Sequence, residues 1–311
     1  MALAHTYGYE PFALTSSSAN EPLNDAVVLC RISSWITGKR LVSLPFADHC
    51  ELLLRQPEDA QEFVEWLQAE CDRRHCRYIE LRSRTQSSHY GMQAGESYYF
   101  HALDLAPSLE RLFEGLHKDS SQRKIRRAEK EGIQCNAGRS PYHVHEFYRL
   151  MLMTRRRHRL FPQPFSWFQN LVACMGDKVQ VWLAQQNQTT IAAVLTLQHR
   201  GSVIYKYGCS DEKYHKLGSM PFLFWKLIEE SKAAGAAEID FGRSDTGNEG
   251  LATFKDHFGA RRQRLVYSQY SKSHQRVKTN RKGWEIFRPL LPILPDLLLC
   301  TGGRLLYRHM G

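Results

Sequence analysis

The sequence has no apolar run long enough to cross a bilayer. The longest, at 290–300, contains 11 residues with two prolines and one aspartate, whereas a spanning helix needs about 20 apolar residues. The first residues of the chain have neither the basic region nor the apolar stretch of a secretion signal. These absences predict a cytoplasmic protein without a spanning helix.

Cysteine pairs of the kind that bind zinc are also missing. The eight cysteines are dispersed, and none forms a Cys-x-x-Cys pair. Cys71 and Cys76 come nearest, but no second pair follows downstream to complete a zinc site. We therefore expect reduced thiols and no bound metal.

Acidic residues are scarce in two stretches of this chain of 311 residues, whose net charge is +10. Residues 118–159 contain 12 Lys/Arg against 4 Asp/Glu, and residues 261–311 contain 11 against 2. The asymmetry favours a polyanionic partner, such as a nucleotide-linked substrate, RNA or an anionic membrane face. Solvated helix faces would account for many of these side chains equally well.

The apolar run at 290–300 has two interpretations. Basic residues flank it on both sides: Arg281, Lys282, Arg288, Arg304 and Arg308. It could lie on an anionic membrane surface, with apolar side chains inserted and basic ones at the lipid headgroups. It could instead form a C-terminal helix that packs on the body of the protein.

Short apolar strands alternate with helices along the chain. A hairpin is predicted within 26–46, a helix over 59–74, strands at 78–81 and 97–105, and a basic helix over 119–132. A similar order follows from 139 to 270, with helices predicted at 144–157, 166–175, 220–234 and 250–258. This alternation predicts a layered α/β architecture.

Polar side chains are densest between residues 236 and 260. An apolar strand ends at residue 241 and is followed by a glycine-containing turn with Arg243, Ser244, Asp245 and Asn248. The carboxyl ends of strands are where α/β proteins usually bind ligands. In the helix that follows, Lys255 could present its charge to an oxyanion or a phosphate, or it could be an ordinary surface lysine.

Several motifs of the chain resemble those of the FemAB-type peptidyltransferases. They include Asp-Phe-Gly-Arg-Ser at 240–244, Gly-Leu-x-x-Phe-Lys-x-x-Phe-Gly-Ala at 250–260 and the basic segment 123–132. The similarity extends to segments at 44–46, 154–158, 162–164, 205–210 and 217–225. More narrowly, the chain looks like the FemAB-like proteins associated with exosortase and exopolysaccharide loci.

The resemblance implies two GNAT-type lobes, each a mixed sheet flanked by helices. We expect an N-terminal lobe at 1–137, a catalytic lobe at 138–272 and a basic and apolar tail at 273–311. The implied activity is transfer of an acyl or aminoacyl group to an amine of a cell-envelope, peptidoglycan or exopolysaccharide precursor. The implied donor is an aminoacyl-tRNA or an acyl-CoA, with no tightly bound cofactor.

The chain departs from the GNAT pattern at the loop that holds coenzyme A. That loop has the form Gln/Arg-x-x-Gly-x-Gly/Ala at a helix start, where free backbone amides bind pyrophosphate. Here Lys216, Gly218 and Ser219 occupy the corresponding place, and only one of the glycines is kept. The identity of the donor therefore stays open.

The reaction centre is expected around Lys255. The family's Phe-Lys motif falls on Phe254 and Lys255, which implies that this lysine assists the acyl-transfer transition state. We assign Arg243 to a carboxylate or phosphate of the substrate and Asp245 to the general base, although Asp240, Asp256, His257 or a carboxylate of the acceptor could also take the proton.

The remaining candidates are predicted to bind substrate. Ser244 and Asn248 lie in the polar turn, and Tyr205 and Tyr207 alternate with Lys206 on a strand, which would place both rings on one face. Arg155 and His158 would face the acceptor, although cations at a helix end also complement the helix dipole.

Two non-enzymatic functions compete with this interpretation. The basic stretches could bind RNA or another nucleic acid without catalysis, which would make binding salt-sensitive and independent of Lys255. The C-terminal tract could instead make the protein a membrane-docked scaffold, peripheral on the inner face of the membrane. A small-molecule N-acetyltransferase that uses acyl-CoA is the alternative within the enzyme class.

Overall fold

The computed structural model describes residues 1–18, 20–56, 58–84, 91–273 and 288–311. They group into two compact units. The first contains the described residues of Met1–Tyr98, with 264–273 and Gly303–Gly311. The second contains Tyr99–Gln263 and residues 288–302.

The first unit is a mixed sheet with one long helix. Its elements are α1 (Ala2–Tyr7), β1 (Glu10–Leu14), β2 (Val27–Ser34), β3 (Gly38–Val42), α2 (Asp59–Arg73), β4 (Tyr78–Leu81), the first residues of β5 (Gln93–Asp104) and the last of β11 (Arg261–Tyr270). Its strand order is β1-β2-β3-β4-β11-β5. β3 and β4 are parallel, while β1–β2, β2–β3 and β4–β11 are antiparallel.

Helix α2 covers this sheet because its apolar residues recur at helical spacing. Val64 and Leu67 are fully buried and pack with Leu29, Leu41 and Ile79 of the strands. The unit therefore has a core of its own.

The second unit contains the remaining strands and most of the helices. Its elements are α3 (Leu109–Glu114), a π-helical turn (Lys118–Gln122), α4 (Arg123–Lys130), β6 (Gln134–Gly138), α5 (Pro141–Arg157), α6 (Phe165–Met175), β7 (Val179–Gln186), β8 (Thr189–His199), β9 (Ser202–Ser210), α7 (Ser219–Ala233), β10 (Glu238–Asp245), α8 (Glu249–Asp256) and the first turns of α9 (Asp296–Tyr307). Its strand order, from the second half of β5, is β5-β10-β9-β8-β7-β6. β9 and β10 are parallel, and β6 to β9 are antiparallel neighbours.

Both faces of this sheet are buried. On β7, Trp182 and Ala184 belong to the core that α4 and α7 form with the sheet, while Val181 and Leu183 between them are also fully buried. Since alternate residues of a strand point to opposite faces, the second face must be covered as well. Helices α5 and α6 cover it, with α5 lying on β8 and β9.

The predicted α/β class is confirmed, and the element order agrees closely with the sequence pattern. The hairpin within 26–46 is β2–β3. The basic helix predicted over 119–132 is shorter, because residues 118–122 form a π-helical turn before α4 begins at Arg123.

The two units do not follow the predicted segments. The boundary expected at 137/138 falls inside the second unit. Leu103, Leu112 and Ile125, which precede it, share one core with Phe224 and Ile239. Burial of these side chains binds residues 99–137 to the strands and helices that follow.

Within the described ranges, no helix is long and apolar enough to span a membrane. The flanking Arg281 and Lys282 of the basic tail lie outside the described residues.

Candidate active site

Two polar side chains shape the end of β10 and the turn after it. The strand continues to Asp245, so the turn that was predicted to begin after residue 241 begins four residues later. Gly242 has a φ of 68°, a conformation that glycine adopts without a Cβ penalty. Its N–H donates to Oδ1 of the buried Asp240 at 2.6 Å. Asn248 caps α8, because its Oδ1 accepts from the N–H of Leu251 at 3.2 Å. Both side chains therefore have structural roles here, whatever else Asn248 binds.

Aromatic packing sets the rotation of α8. Phe254 and Phe258 lie one helical turn apart, and their ring centroids are 5.3 and 5.1 Å from that of Phe224 on α7. The two rings anchor one side of α8. Lys255, next to Phe254, is thereby turned into the protein.

The Lys255 ammonium is buried and bound to the main chain. The residue is only 2% exposed. Its Nζ donates to the carbonyl oxygens of Gly242 at 3.0 Å and Arg243 at 2.9 Å. A buried charge needs such partners, so Lys255 is a fixed positive charge at the carboxyl end of β10.

Three predicted residues follow at the same end of β10. Arg243 is half-buried and Asp245 is exposed. Ser244 is 2% exposed, and its Oγ has no hydrogen-bond partner among the described residues. Because an unpaired buried hydroxyl costs free energy, the Ser244 Oγ is a candidate contact for a bound substrate or water.

A buried histidine that the sequence did not single out also lies near Lys255. Nε2 of His101, on β5, is 3.2 Å from Oδ1 of Asp256, and Arg262 donates to Oδ2 of Asp256 at 2.5 Å. Burial and the Lys255 charge lower the pKa of His101, against the effect of Asp256. Burial is the largest single influence on Asp256 and would raise its pKa, but the hydrogen bond and charge of Arg262 together with those of His101 lower that pKa. His101 and Asp256 are 155 positions apart in the chain, which explains why no local pattern revealed the pair.

Tyr205 and Tyr207 lie on opposite faces of the sheet, so the predicted alternation is wrong. Leu195 of β8 pairs with Tyr207 and Thr196 pairs with Tyr205, which leaves Lys206 as an extra residue in a β-bulge. Such a bulge reverses the facing of the residues beyond it. The Tyr205 ring contacts Phe224 and Phe241 on the α7 side, whereas the Tyr207 ring contacts Phe147 and Phe168 on the α5 and α6 side.

Tyr207 belongs with Arg155 rather than with Tyr205. Gln163 Nε2 donates to the Tyr207 hydroxyl at 3.4 Å, and Arg155 donates to Gln163 Oε1 at 3.1 Å. His158, just after α5, is exposed. Desolvation of the ring by neighbouring atoms and the charges of Arg157 and Arg155 lower the pKa of His158.

The start of α7 offers little room for a phosphate. Gly218 is the N-cap with a φ of 78°, and a Cβ built there would lie 2.3 Å from the carbonyl oxygen of Lys124 on α4. Ser219 is buried, and Pro221 lacks an N–H. Lys216 is exposed just before the cap. The loop therefore presents few free amides, and an electron-rich carbonyl lies against it.

Two further polar clusters were missed by sequence reasoning. Nδ1 of His117 and Nδ1 of His257 lie 2.9 and 2.8 Å from Ser120 Oγ, and the two rings are 4.2 Å apart. Separately, Ser210 Oγ lies 2.9 Å from His215 Nε2. The unexpected π-helical turn places Ser120 between the two rings.

A cavity of about 890 Å³ lies elsewhere in the second unit, beneath α7 and against β6–β9. Trp182, Gln180, Thr196 and Lys226 are among its lining residues, and none of the predicted site residues lines it. Within the described part of the chain, no three His, Cys, Asp or Glu side chains form a group that could hold a metal.

Comparison with known families identifies part of the chain. Residues 117–256 match the acetyltransferase (GNAT) domain family. A UDP-N-acetylmuramoylpentapeptide-lysine N(6)-alanyltransferase of Weissella viridescens is 22% identical over 96 residues. That similarity covers 30% of this chain and 29% of that protein.

Solved structures agree over a much larger part of the fold. The crystal structure of FemX superposes with a TM-score of 0.69 at 11% identity and covers 92% of both chains. A tandem GNAT protein from the clavulanic acid biosynthesis pathway gives 0.54 at 11% identity and covers 85% of this chain and 83% of its own. Residues 117–256 thus match a GNAT acetyltransferase domain, and the chain shares the fold of FemX.

Proposed function

We propose that the protein transfers an aminoacyl or acyl group to an amine of a cell-envelope, peptidoglycan or exopolysaccharide precursor. The observation that carries the proposal is the buried Lys255 ammonium, bound to the carbonyls of Gly242 and Arg243. The adjacent Ser244 hydroxyl has no hydrogen-bond partner in the part of the chain that the structure describes. The alanyltransferase similar in sequence is named for such an acceptor, which supports the acceptor class.

In this reaction the acceptor amine attacks the donor carbonyl, and negative charge develops on the carbonyl oxygen. The amide forms as the ester bond to the tRNA, or the thioester bond to coenzyme A, breaks, and the proton lost by the amine passes through the base to the departing oxygen or sulfur. Fixed charges and donors in a water-poor site stabilise that charge more than water does. Lys255 supplies the fixed positive charge, and Ser244 Oγ is the proposed donor to the oxyanion. Arg243 would bind a carboxylate or phosphate of the substrate through its planar guanidinium, with Phe254 and Tyr205 as apolar walls.

Asp245 is the proposed base among the three nearby aspartates. Asp240 is 2% exposed and Asp256 is half-buried, so an arriving amine reaches their carboxylates less readily. Asp245 is exposed at the end of β10, where an arriving amine can reach it. A carboxylate of the acceptor remains the alternative proton acceptor.

Aminoacyl-tRNA is the proposed donor. Coenzyme A fits poorly at the start of α7, because Pro221 removes one amide and the Lys124 carbonyl lies against Gly218. A tRNA is a long polyanion, and α4, Arg155 and Lys216 supply basic side chains in the second unit. We place the reaction at the cytoplasmic side, with the acceptor presented at the inner face of the membrane.

Transfer assays with Lys255→Met test the proposal. Purified protein would receive tRNA charged with radiolabelled amino acids or labelled acyl-CoA, together with a bacterial envelope extract. Label should move from charged tRNA, and Lys255→Met should lower the rate by roughly 100-fold, the usual effect of losing one transition-state contact.

Lys232→Met is the matched control. Lys232 also donates from a helix to a main-chain carbonyl, that of Leu105 at 2.7 Å, but near the start of β10. The Lys232→Met variant should transfer the label at nearly the rate of the parent protein. Equal rates for Lys255→Met and the parent would disprove the site, while transfer from acyl-CoA alone would favour the N-acetyltransferase alternative that the GNAT family match supports.

A further inference from the structure

The C-terminal segment exposes a concentration of large apolar side chains. Between residues 290 and 305, five such residues are 51% to 77% exposed: Leu290, Ile293, Leu297, Leu298 and Leu305. Single exposed apolar residues are common on soluble proteins, but contiguous patches mark interaction sites. We call this set the C-terminal apolar face.

Helix α9 is apolar on two opposite sides. At about 100° per residue, Leu297, Leu298 and Leu305 fall within an arc of about 100°. The opposite side is formed by Leu299 and Leu306, which are buried. A surface helix normally turns a polar face outward, so the leucines of the exposed arc indicate that something apolar covers them.

The protein holds this segment in place from behind. Arg156 on α5 donates to the Leu294 carbonyl at 2.8 Å and to Oδ1 of Asp296 at 2.7 Å. A Cβ added at Gly302 would lie 2.4 Å from the Phe161 ring, so the helix approaches closely where it has no side chain. The exposed leucines are therefore presented on a fixed surface.

The basic residues around the C-terminal apolar face favour an anionic lipid surface as its partner. Residues 288–311 contain one acidic residue, Asp296, and it is paired with Arg156. Arg288, Arg304 and Arg308 are exposed, and Arg304 lies on the same arc as Leu297. Anionic headgroups attract such side chains within a Debye length of the surface.

The same features disfavour two protein partners. A second copy of this chain would bring the arginines together without an acidic complement. A heterologous protein interface usually has aromatic residues at its centre, and the C-terminal apolar face has none. We propose that this face inserts into the interfacial layer of an anionic bilayer, with the arginines at the headgroups.

Flotation with lipid vesicles tests this proposal without any transfer substrate, so its failure would leave the proposed activity untouched. The full chain should float with vesicles of phosphatidylglycerol and phosphatidylcholine, and less with phosphatidylcholine alone or at high salt. Leu297→Gln/Leu298→Gln should weaken binding by at least about tenfold, and Arg304→Gln by about fivefold.

Leu23→Gln/Leu53→Gln is the control, since these leucines are 69% and 61% exposed elsewhere in the sequence. It should bind as the parent does. Unchanged melting temperatures would show that both double variants fold. Equal binding by all variants would overturn the proposal. So would self-association in the ultracentrifuge that Leu297→Gln/Leu298→Gln abolishes without any vesicle binding, because the face would then join two copies.

Discussion

At the scale of single residues, Gly242 connects the groups on which the proposed chemistry depends. Its N–H is bound by Asp240 and its carbonyl by Lys255, so one peptide unit at each side of its Cα is fixed by a charged side chain. The positive φ orients both groups in this way. The Asp-Phe-Gly-Arg-Ser run therefore has a physical reason at its first and third positions.

Gly242→Ala should destabilise the protein by about 1–2 kcal/mol, because a Cβ is disfavoured at positive φ. Transfer should fall by at least about tenfold as the two bonds shift, since small displacements of reacting groups are costly. Gly247→Ala, in the turn just after β10, is the control, because a Cβ there meets nothing within 4 Å. Urea unfolding and a transfer assay on both variants would measure the difference, and equal losses would contradict the role of φ at 242.

Sequence could indicate residue types at this site but not all their partners. The predicted polar segment after an apolar strand indicated Arg243 and Ser244, and the helix that follows it in the sequence indicated Lys255. His101 was not identified because its contact with Asp256 joins β5 to the end of α8, and residues 155 positions apart leave no local pattern in the sequence. Whether these residues act in catalysis stays a prediction.

At the scale of elements, the periodicity of apolar residues predicted strands and helices well but not their irregularities. Helix α7 lies within one residue of its predicted bounds, whereas strand β10 runs four residues beyond its predicted end at 241. The bulge in β9 could not be predicted, because it depends on the register with β8 rather than on the sequence of β9 alone. The π-helical turn before α4 depends likewise on Ser120 and Ser121 contacting His257.

Deletion of Lys206 tests the bulge. Without the extra residue, Tyr205 and Tyr207 become neighbours, and neighbouring residues of a regular strand point to opposite faces. Each ring therefore keeps its side, including the Tyr207 hydroxyl to which Trp167 donates at 3.0 Å, and we expect a loss of no more than about 3 kcal/mol, the range of ordinary point mutations. Deletion of Ile204 is the comparison, because it makes Val203 and Tyr205 neighbours although both pack in the core on the α7 side. One of them must then turn away, and the loss should exceed about 4 kcal/mol. A larger loss in the circular dichroism melt from deleting Lys206 than from deleting Ile204 would contradict the bulge.

At the scale of the whole molecule, the folded state resists protonation at several histidines. Burial is the first cause of a lowered pKa at six of them: His101, His143, His158, His215, His257 and His309. The unfolded chain titrates at the ordinary value of about 6.5. Below that pH the unfolded state therefore binds more protons than the native state does, and acid shifts the equilibrium towards unfolding.

Stability should accordingly be full above about pH 6.5 and fall as the pH drops through the lowered native values. Thermal melts between pH 7.5 and 5 isolate this effect, since ordinary carboxyl groups titrate near about 4. The melting temperature should decrease by several degrees over that range.

The double variant His101→Gln/His257→Gln should make this decrease smaller, because the His101 ring is buried against Asp256 and the His257 ring stacks near His117. His199→Gln, at an exposed site, should leave the slope unchanged. A melting temperature that rises towards pH 5 would mean that the histidines are stabilised by their charge, the opposite of what their burial implies.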